Sequence, residues 1–164
     1  MPRHLSRKEA PVTARRTLSR WTLALAVGGL LAAPAFAGGA DLVRARIAGF
    51  RQIGAAYKAV TDGLRASDLA KVRQAAGQLG GLAHGLYGWF PRGSGPQPGV
   101  KTAARPEIWT RAPQFRAAQD GLAREVQAFQ RVAAGSDVNA IRAEARKLGG
   151  TCKACHDQFK VASD

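Results

Sequence analysis

The sequence predicts an all-α protein, an antiparallel four-helix bundle with a long crossover between its second and third helices. Three observations support this fold class. Four stretches of the chain repeat apolar residues at intervals of three or four, the period of an amphipathic helix. No stretch alternates apolar and polar residues between hairpin-turn residues, as a half-buried strand would. Finally, residues 88–106 are rich in proline and glycine, which interrupt helices, so they separate two helical hairpins.

The N-terminal segment has the three parts of an export signal. Residues 1–21 carry six basic side chains against the single acid Glu9, and an apolar run from Thr22 to Ala33 follows. Residues 35–37 then read Ala-Phe-Ala, the small-large-small pattern of a signal-peptidase site.

This pattern predicts a secretory signal peptide over residues 1–37, cleaved near Ala37, and a four-helix-bundle domain over residues 38–164. The mature protein would then reside in the periplasm. An uncleaved membrane anchor is the alternative, but the apolar run is shorter than the roughly 20 residues that span a bilayer. We therefore expect no membrane span after cleavage.

Each of the four apolar stripes predicts one helix, with the stripe facing the core. The first two stripes are Val43, Ile47, Phe50, Gly54, Tyr57, Val60 and Leu64, and then Leu69, Val72, Ala76, Leu79, Ala83 and Leu86. The third and fourth are Phe115, Ala118, Leu122, Val126, Phe129 and Ala133, and then Val138, Ile141, Ala145, Leu148, Cys152, Cys155 and Phe159.

Residues with capping chemistry stand at the helix ends. Ser67 or Asp68 can cap the second helix, because a short polar side chain accepts a hydrogen bond from a free N–H of the first turn. Ser136 or Asp137 can cap the fourth helix in the same way. Gly135 suits a left-handed residue after the third helix.

The inward faces of the predicted helices are rich in small residues, namely Gly54, Ala76, Ala83, Ala118 and Ala145. Protein interiors are close-packed, so such positions leave space that side chains alone do not fill. A large flat ligand inside the bundle would fill it.

The chain is strongly basic, with 25 Lys and Arg against 11 Asp and Glu and a net charge of +14. The basic residues of the mature domain are spread without a cluster, and no nucleic-acid-binding motif is present. We therefore expect no nucleic-acid partner, and a positive surface that helps attract acidic proteins.

The two cysteines of the chain lie in one C-x-x-C-H motif, Cys152 to His156. At 100° per residue, Cys152, Cys155 and His156 fall within an arc of about 100° on the core stripe of the fourth helix. Two thiols at this spacing can add to the two vinyl groups of one porphyrin edge, and the adjacent imidazole can reach the iron from the same side. The motif predicts one covalent haem c, attached through Cys152 and Cys155 with His156 as the metal ligand.

Three other interpretations of the cysteines are open. A thioredoxin-like redox pair favours a helix N-terminus, whereas this pair lies in the last turns of a helix. A zinc site needs four protein ligands, or three and a water, and could combine Cys152, Cys155, His156 and His84. A plain disulfide leaves His156 without a role.

A C-terminal C-x-x-C-H on the last of four helices resembles cytochrome c′, the class II c-type cytochromes. Three further stretches are similar to that family: Ala104 to Trp109 (A-R-P-E-I-W), Arg46 to Phe50 (R-I-A-G-F), and Trp89-Phe90-Pro91 at the start of the crossover. The resemblance covers roughly residues 41–162.

The resemblance implies roles for three more residues and a homodimer through the first two helices. Arg46 would pair with a haem propionate, the alternative being an exposed helix arginine. Phe50 would cover the open face of the iron. The alternative is that Phe50 is an ordinary core residue of the first helix, and packing over a haem would satisfy both descriptions. Lys160 would stand beside the proximal face, the alternative being a surface lysine suited to the helix dipole.

The residues available to the iron indicate the function. Residues 38–164 contain no methionine, which excludes His/Met ligation, and the only other histidine there is His84, which usual helix-end roles explain. Five-coordinate iron under an apolar Phe50 predicts binding of small diatomic gases such as NO and CO. A one-electron carrier working with redox partner proteins is the alternative. We expect no enzymatic activity, because the predicted distal face has no acid or base to move a proton.

Overall fold

The computed structural model describes residues 38–162, and this part of the chain is helical with no strand beyond two isolated bridges. Four long helices form the bundle: α1 (Gly39–Arg65), α2 (Leu69–Gly85), α4 (Ala112–Ala133) and α5 (Val138–Phe159). A 3-10 turn, Leu86–Gly88, and a short helix α3, Glu107–Thr110, flank the crossover. The predicted all-α bundle with its long crossover is confirmed. The predicted signal peptide lies outside the described residues.

The core follows the predicted stripes. Buried positions from all four long helices meet in one cluster, which includes Val60, Leu64, Val72, Leu79, Leu122, Val126, Phe129, Ile141 and Leu148. Within this bundle α1 packs mainly on α2, and α4 packs on both α2 and α5, whereas the backbones of α1 and α5 approach each other closely in few places. Part of the predicted α1 stripe is only half buried, at Ile47, Phe50 and Tyr57.

The helix ends follow two of the predicted caps. The Asp68 side chain accepts from the Lys71 N–H at 2.9 Å, and the Asp137 side chain accepts from the N–H groups of Asn139 and Ala140 at 2.9 and 3.0 Å. These bonds satisfy backbone donors that a helix N-terminus leaves free.

The prediction of a left-handed Gly135 is wrong, because its φ is not positive. Ser67, at φ 57°, is the left-handed residue that ends α1, and the Asp68 N–H donates to the Gly63 carbonyl at 2.8 Å across this turn. That bond is the six-to-one bond of a Schellman motif, which usually places glycine where Ser67 stands. The end of α4 instead tightens through a bond from the Gly135 N–H to the Val132 carbonyl at 3.1 Å.

The crossover is fastened to the end of α5. The Arg105 N–H donates to the Phe159 carbonyl at 3.0 Å, and the Val161 N–H donates to the Ala103 carbonyl at 2.8 Å. The two segments thus form a short bridge, which places residues 102–104 beside the last turn of α5. Within residues 38–162, no helix has the length and apolar character needed to cross a membrane.

Candidate functional site

A cavity of about 520 Å³ lies among α1, α4, α5 and the crossover. Cofactor sites typically occupy roughly 300–1,000 Å³, so the space suits a cofactor. Most of the lining is apolar and includes Ile47, Phe50, Ile53, Leu86, Phe90, Ile108, Phe115, Leu122 and Phe159. Of the small inward residues, Gly54 and Ala118 border the cavity, whereas Ala76, Ala83 and Ala145 are buried in the core.

Both cysteines line this cavity as half-buried free thiols. Cys152 packs against the main core, and Cys155 packs against a second cluster formed by Ile108, Phe115 and Phe159. Burial raises the pKa of both thiols. A reactive redox pair requires a lowered pKa, so this environment does not favour the thioredoxin-like interpretation.

His156 lines the same cavity from the last turn of α5. Partial burial lowers the pKa of its imidazole, and the nearby Lys160 lowers it further, against a smaller opposing effect of Asp157. A lowered pKa keeps the ring neutral at neutral pH, and the neutral ring is the form that binds metals. The helix thus presents two thiols and an imidazole to one space.

Phe50 belongs to the wall that α1 contributes. Its ring lies edge-on to Trp89 at 5.3 Å and to Phe90 at 6.0 Å between centroids. Tyr57, two turns further along α1, donates its hydroxyl hydrogen to the Ala145 carbonyl at 3.0 Å. This part of the cavity is therefore bordered by aromatic rings, and the Tyr57 hydrogen is already engaged.

Arg46 is buried, with 2% of its surface exposed, so the alternative of an exposed helix arginine is wrong. Its guanidinium donates to the Ser94 carbonyl at 3.0 Å, to the Ser94 hydroxyl at 3.2 Å and to the Thr102 hydroxyl at 3.1 Å. The same group lies over the rings of Phe90 and Trp109, at 4.7 and 5.8 Å from their centroids. Arg46 borders the cavity and at the same time holds the crossover against α1.

Lys160 follows α5 directly and lies at the exposed rim of the cavity. Its backbone pairs with Ala104 of the crossover. The effect of Lys160 on the pKa of His156 indicates that its charge is close to the imidazole.

His84 is exposed and does not border the cavity, and its ring is 6.5 Å from that of Tyr87. Among residues 38–162, no group of three or more His, Cys, Asp or Glu is placed to hold a metal ion. The four-ligand zinc site that would combine His84 with Cys152, Cys155 and His156 is therefore not formed.

Sequence reasoning missed several parts of this site. It assigned no role to Arg51 or Thr102, both of which border the cavity. It also left out the bridge from Ala104 to Lys160, both of which line the cavity. No local pattern marks Thr102 or this bridge, because the path of the crossover brings them to the cavity. Arg51 becomes part of the lining only through the way the other elements pack beside α1.

The chemistry of the lining residues fits a haem. Two thiols and an imidazole stand on one wall at the c-type spacing, and the remaining lining is mostly apolar, as a porphyrin face requires. The ionisable edge of such a group would need cations, and Arg46, Arg51 and Lys160 border the same cavity.

A family model described as Cytochrome C′ matches residues 41–160. A cytochrome c′ from Rubrivivax gelatinosus is 38% identical over 68 residues, which are 42% of this chain and 53% of that protein. The chain thus spans about half the length of this curated relative. A cytochrome c′ from Rhodopseudomonas palustris is 29% identical over 126 residues, which are 74% of this chain and 82% of that protein.

Solved structures give the same similarity. A crystal structure of the Rubrivivax gelatinosus cytochrome c′ is 26% identical with a TM-score of 0.68, covering 75% of this chain and 97% of that one. A nitric oxide complex of a cytochrome c′ variant from Alcaligenes xylosoxidans is 25% identical with a TM-score of 0.69, covering 77% of this chain and 99% of that one.

Proposed function

The chain belongs to the cytochrome c′ family, and from that premise we propose that it is a periplasmic protein with one covalent haem that binds small diatomic gases such as NO and CO. The observation that carries the proposal is the joint placement of Cys152, Cys155 and His156 in the lining of one cavity of about 520 Å³. The nitric oxide complex of the Alcaligenes xylosoxidans relative supports the choice of ligand.

The α5 residues would attach and orient the cofactor. Cys152 and Cys155 would hold it through two thioether bonds, one towards the main core and one towards the second cluster. His156 would bind the iron through its neutral imidazole, which its lowered pKa favours. When bound, haem supplies an iron that binds diatomic gases and changes between two oxidation states.

The iron would keep one open position. Residues 38–164 contain no methionine, and His84 does not border the cavity. The α1 wall would cover the open face with the Phe50 ring, which Trp89 and Phe90 support. An apolar cover of this kind excludes water and gives bound O₂ little hydrogen bonding, so NO and CO would be preferred.

Arg46 and Lys160 would complete the cofactor site. Hydrogen bonds from Nη1 and Nη2 of Arg46 hold the crossover, and because Arg46 also lines the cavity it would pair with a propionate there. Lys160 would place a positive charge on the His156 side of the haem, as its effect on the pKa of His156 indicates.

One-electron transfer is a second candidate function. His156 and Lys160 are both exposed at the cavity rim, so a haem edge there would be accessible to redox partner proteins. In both cases the N-terminal signal would direct export with cleavage near Ala37, and the protein would form a homodimer. Neither function requires the protein to act as an enzyme.

Mass spectrometry and absorption spectroscopy test the proposal, on protein that is expressed with its own signal together with a cytochrome c maturation system. We expect the mass of one haem, retention of that haem in acidified acetone, and a five-coordinate spectrum that changes with CO and NO. The variant Cys152→Ala/Cys155→Ala should lose covalent retention, whereas the matched control His84→Ala should keep the full spectrum.

Three results would contradict the proposal. A polypeptide without added haem mass would remove its premise. A six-coordinate, low-spin spectrum in the isolated protein would exclude an open iron position. Rapid oxidation by a soluble protein acceptor without any spectral response to CO or NO would favour electron transfer instead.

A further inference from the structure

The cavity has charge of only one sign. Its described lining includes the cations Arg46, Arg51 and Lys160 and contains no Asp or Glu. An ionised group inside a mostly apolar space needs a charged or hydrogen-bonding partner. The charged parts of this lining therefore suit a ligand that carries negative charge.

The two arginines of α1 differ in what they already bind. Arg46 is buried and holds the crossover through Ser94 and Thr102. Arg51 is exposed, and within the described part of the chain it has no hydrogen bond or ion pair. Its guanidinium is therefore available.

Arg51 also lies at the exposed rim of the cavity. The α1 helix packs mainly on α2, and its hydrogen bonds to α5 are made by Tyr57 and by the Leu64 carbonyl. Arg51 lies before these residues on α1, so these bonds do not close the rim beside it. Gly54 follows Arg51 by three residues, about one helical turn, and also lines the cavity. It leaves this rim open, because a Cβ added to Gly54 would have no contact within 4 Å.

We propose that Arg51 binds one carboxylate of the haem, so that α1 receives both propionates while α5 receives the thioether edge. This inference rests on the proposed function. Haem carries two propionates on the edge away from the vinyl-derived thioethers, and Arg46 serves one of them. Arg46 and Arg51 are five residues apart, about 7.5 Å along the helix axis. A guanidinium can bind a carboxylate through two parallel N–H bonds, which a lysine cannot reproduce.

The test is a pH titration of the haem reduction potential, with resonance Raman bands of the propionates as a second readout, on holoprotein variants. Arg51→Gln removes the cation. Arg51→Lys keeps the positive charge but cannot make two parallel hydrogen bonds to a carboxylate. Arg44→Gln is the matched control, because Arg44 is an exposed α1 arginine paired with Asp41 and outside the cavity lining.

We expect Arg51→Gln to increase the proton affinity of one propionate about tenfold, since a neighbouring arginine lowers a carboxyl pKa by one or more. Arg51→Lys should give a smaller change, and Arg44→Gln should leave the titration unaltered. If Arg51→Gln titrates as Arg44→Gln does while the haem stays attached, Arg51 faces solvent or an external acidic partner, and the inference is wrong. Absence of haem from the wild-type protein would instead overturn the proposed function.

Discussion

The close approach of Trp89 to Gly49 gives a quantitative test of how the crossover packs on α1. A Cβ built on Gly49 would overlap Cζ2 and Cη2 of Trp89 and stand 2.9 Å from Cε2. The indole ring cannot move away freely, since it packs edge-on against Phe50 at 5.3 Å. We therefore expect Gly49→Ala to displace Trp89 and the aromatic wall of the cavity.

The expected change in the free energy of unfolding combines two opposing effects. Overpacking of a filled site costs about 1–3 kcal/mol. Removing a glycine from a helix interior recovers about 0.5–1 kcal/mol. Gly49→Ala should therefore destabilise the protein by up to about 2.5 kcal/mol.

Gly77→Ala on α2 is the matched control, because Gly77 is exposed and an added Cβ there would meet nothing within 4 Å. It should stabilise the protein by about 0.5–1 kcal/mol. Urea unfolding followed by circular dichroism measures both variants. If Gly49→Ala stabilised the protein as much as Gly77→Ala, the contact between Trp89 and α1 would be refuted.

Three further predictions concern the carboxylates and the cavity. Burial and the neighbouring Glu144 raise the pKa of Glu125, whose buried Oε1 accepts no hydrogen bond in the described structure. The stability that the Glu125 carboxyl contributes is fully present below the pKa that it has in the unfolded chain. It is lost as the pH rises through the raised pKa of the folded protein. Glu125→Gln should therefore flatten the fall of the melting temperature as the pH rises above about 4.5, the ordinary pKa of this side chain; an unchanged pH profile would contradict the raised pKa of Glu125. Asp137→Ala should cost about 1 kcal/mol in urea unfolding because α5 loses its cap; the exposed control Asp157→Ala should cost less, and equal costs would argue against the cap. Phe50→Ala should speed CO binding in stopped-flow measurements on the reduced holoprotein by about tenfold or more, if the ring covers the iron with about 1.4 kcal/mol of steric hindrance. Val161→Ala, at an exposed position outside the cavity lining, serves as its control, and equal rates would exclude Phe50 as a gate.

The sequence was least informative where a residue's surroundings come from the crossover. Arg46 could be placed on α1 but not described as buried, because its partners Ser94 and Thr102 are about fifty residues away. The left-handed turn at Ser67 was missed for a different reason. Glycine is the usual signal for that conformation, and Ser67 adopts it because the bond from Asp68 to Gly63 closes the turn.

The sequence alone determined what depends on spacing along a single helix. The period of three and four defined the long helices, the polar residues before Leu69 and Val138 defined their starts, and the C-x-x-C-H spacing placed the thiols and imidazole of α5 on one face. These features need only the geometry of one α-helix.

Only the tertiary structure decided where the cavity lies and which residues border it. It placed α1 and α5 on the border of one cavity, turned Phe50 towards the aromatic residues of the crossover, brought Arg51 to the rim and left His84 outside. Each of these outcomes depends on how far apart two helices pack and how a proline- and glycine-rich segment returns over them. Such distances arise from contacts between residues remote in sequence, and no local pattern encodes them.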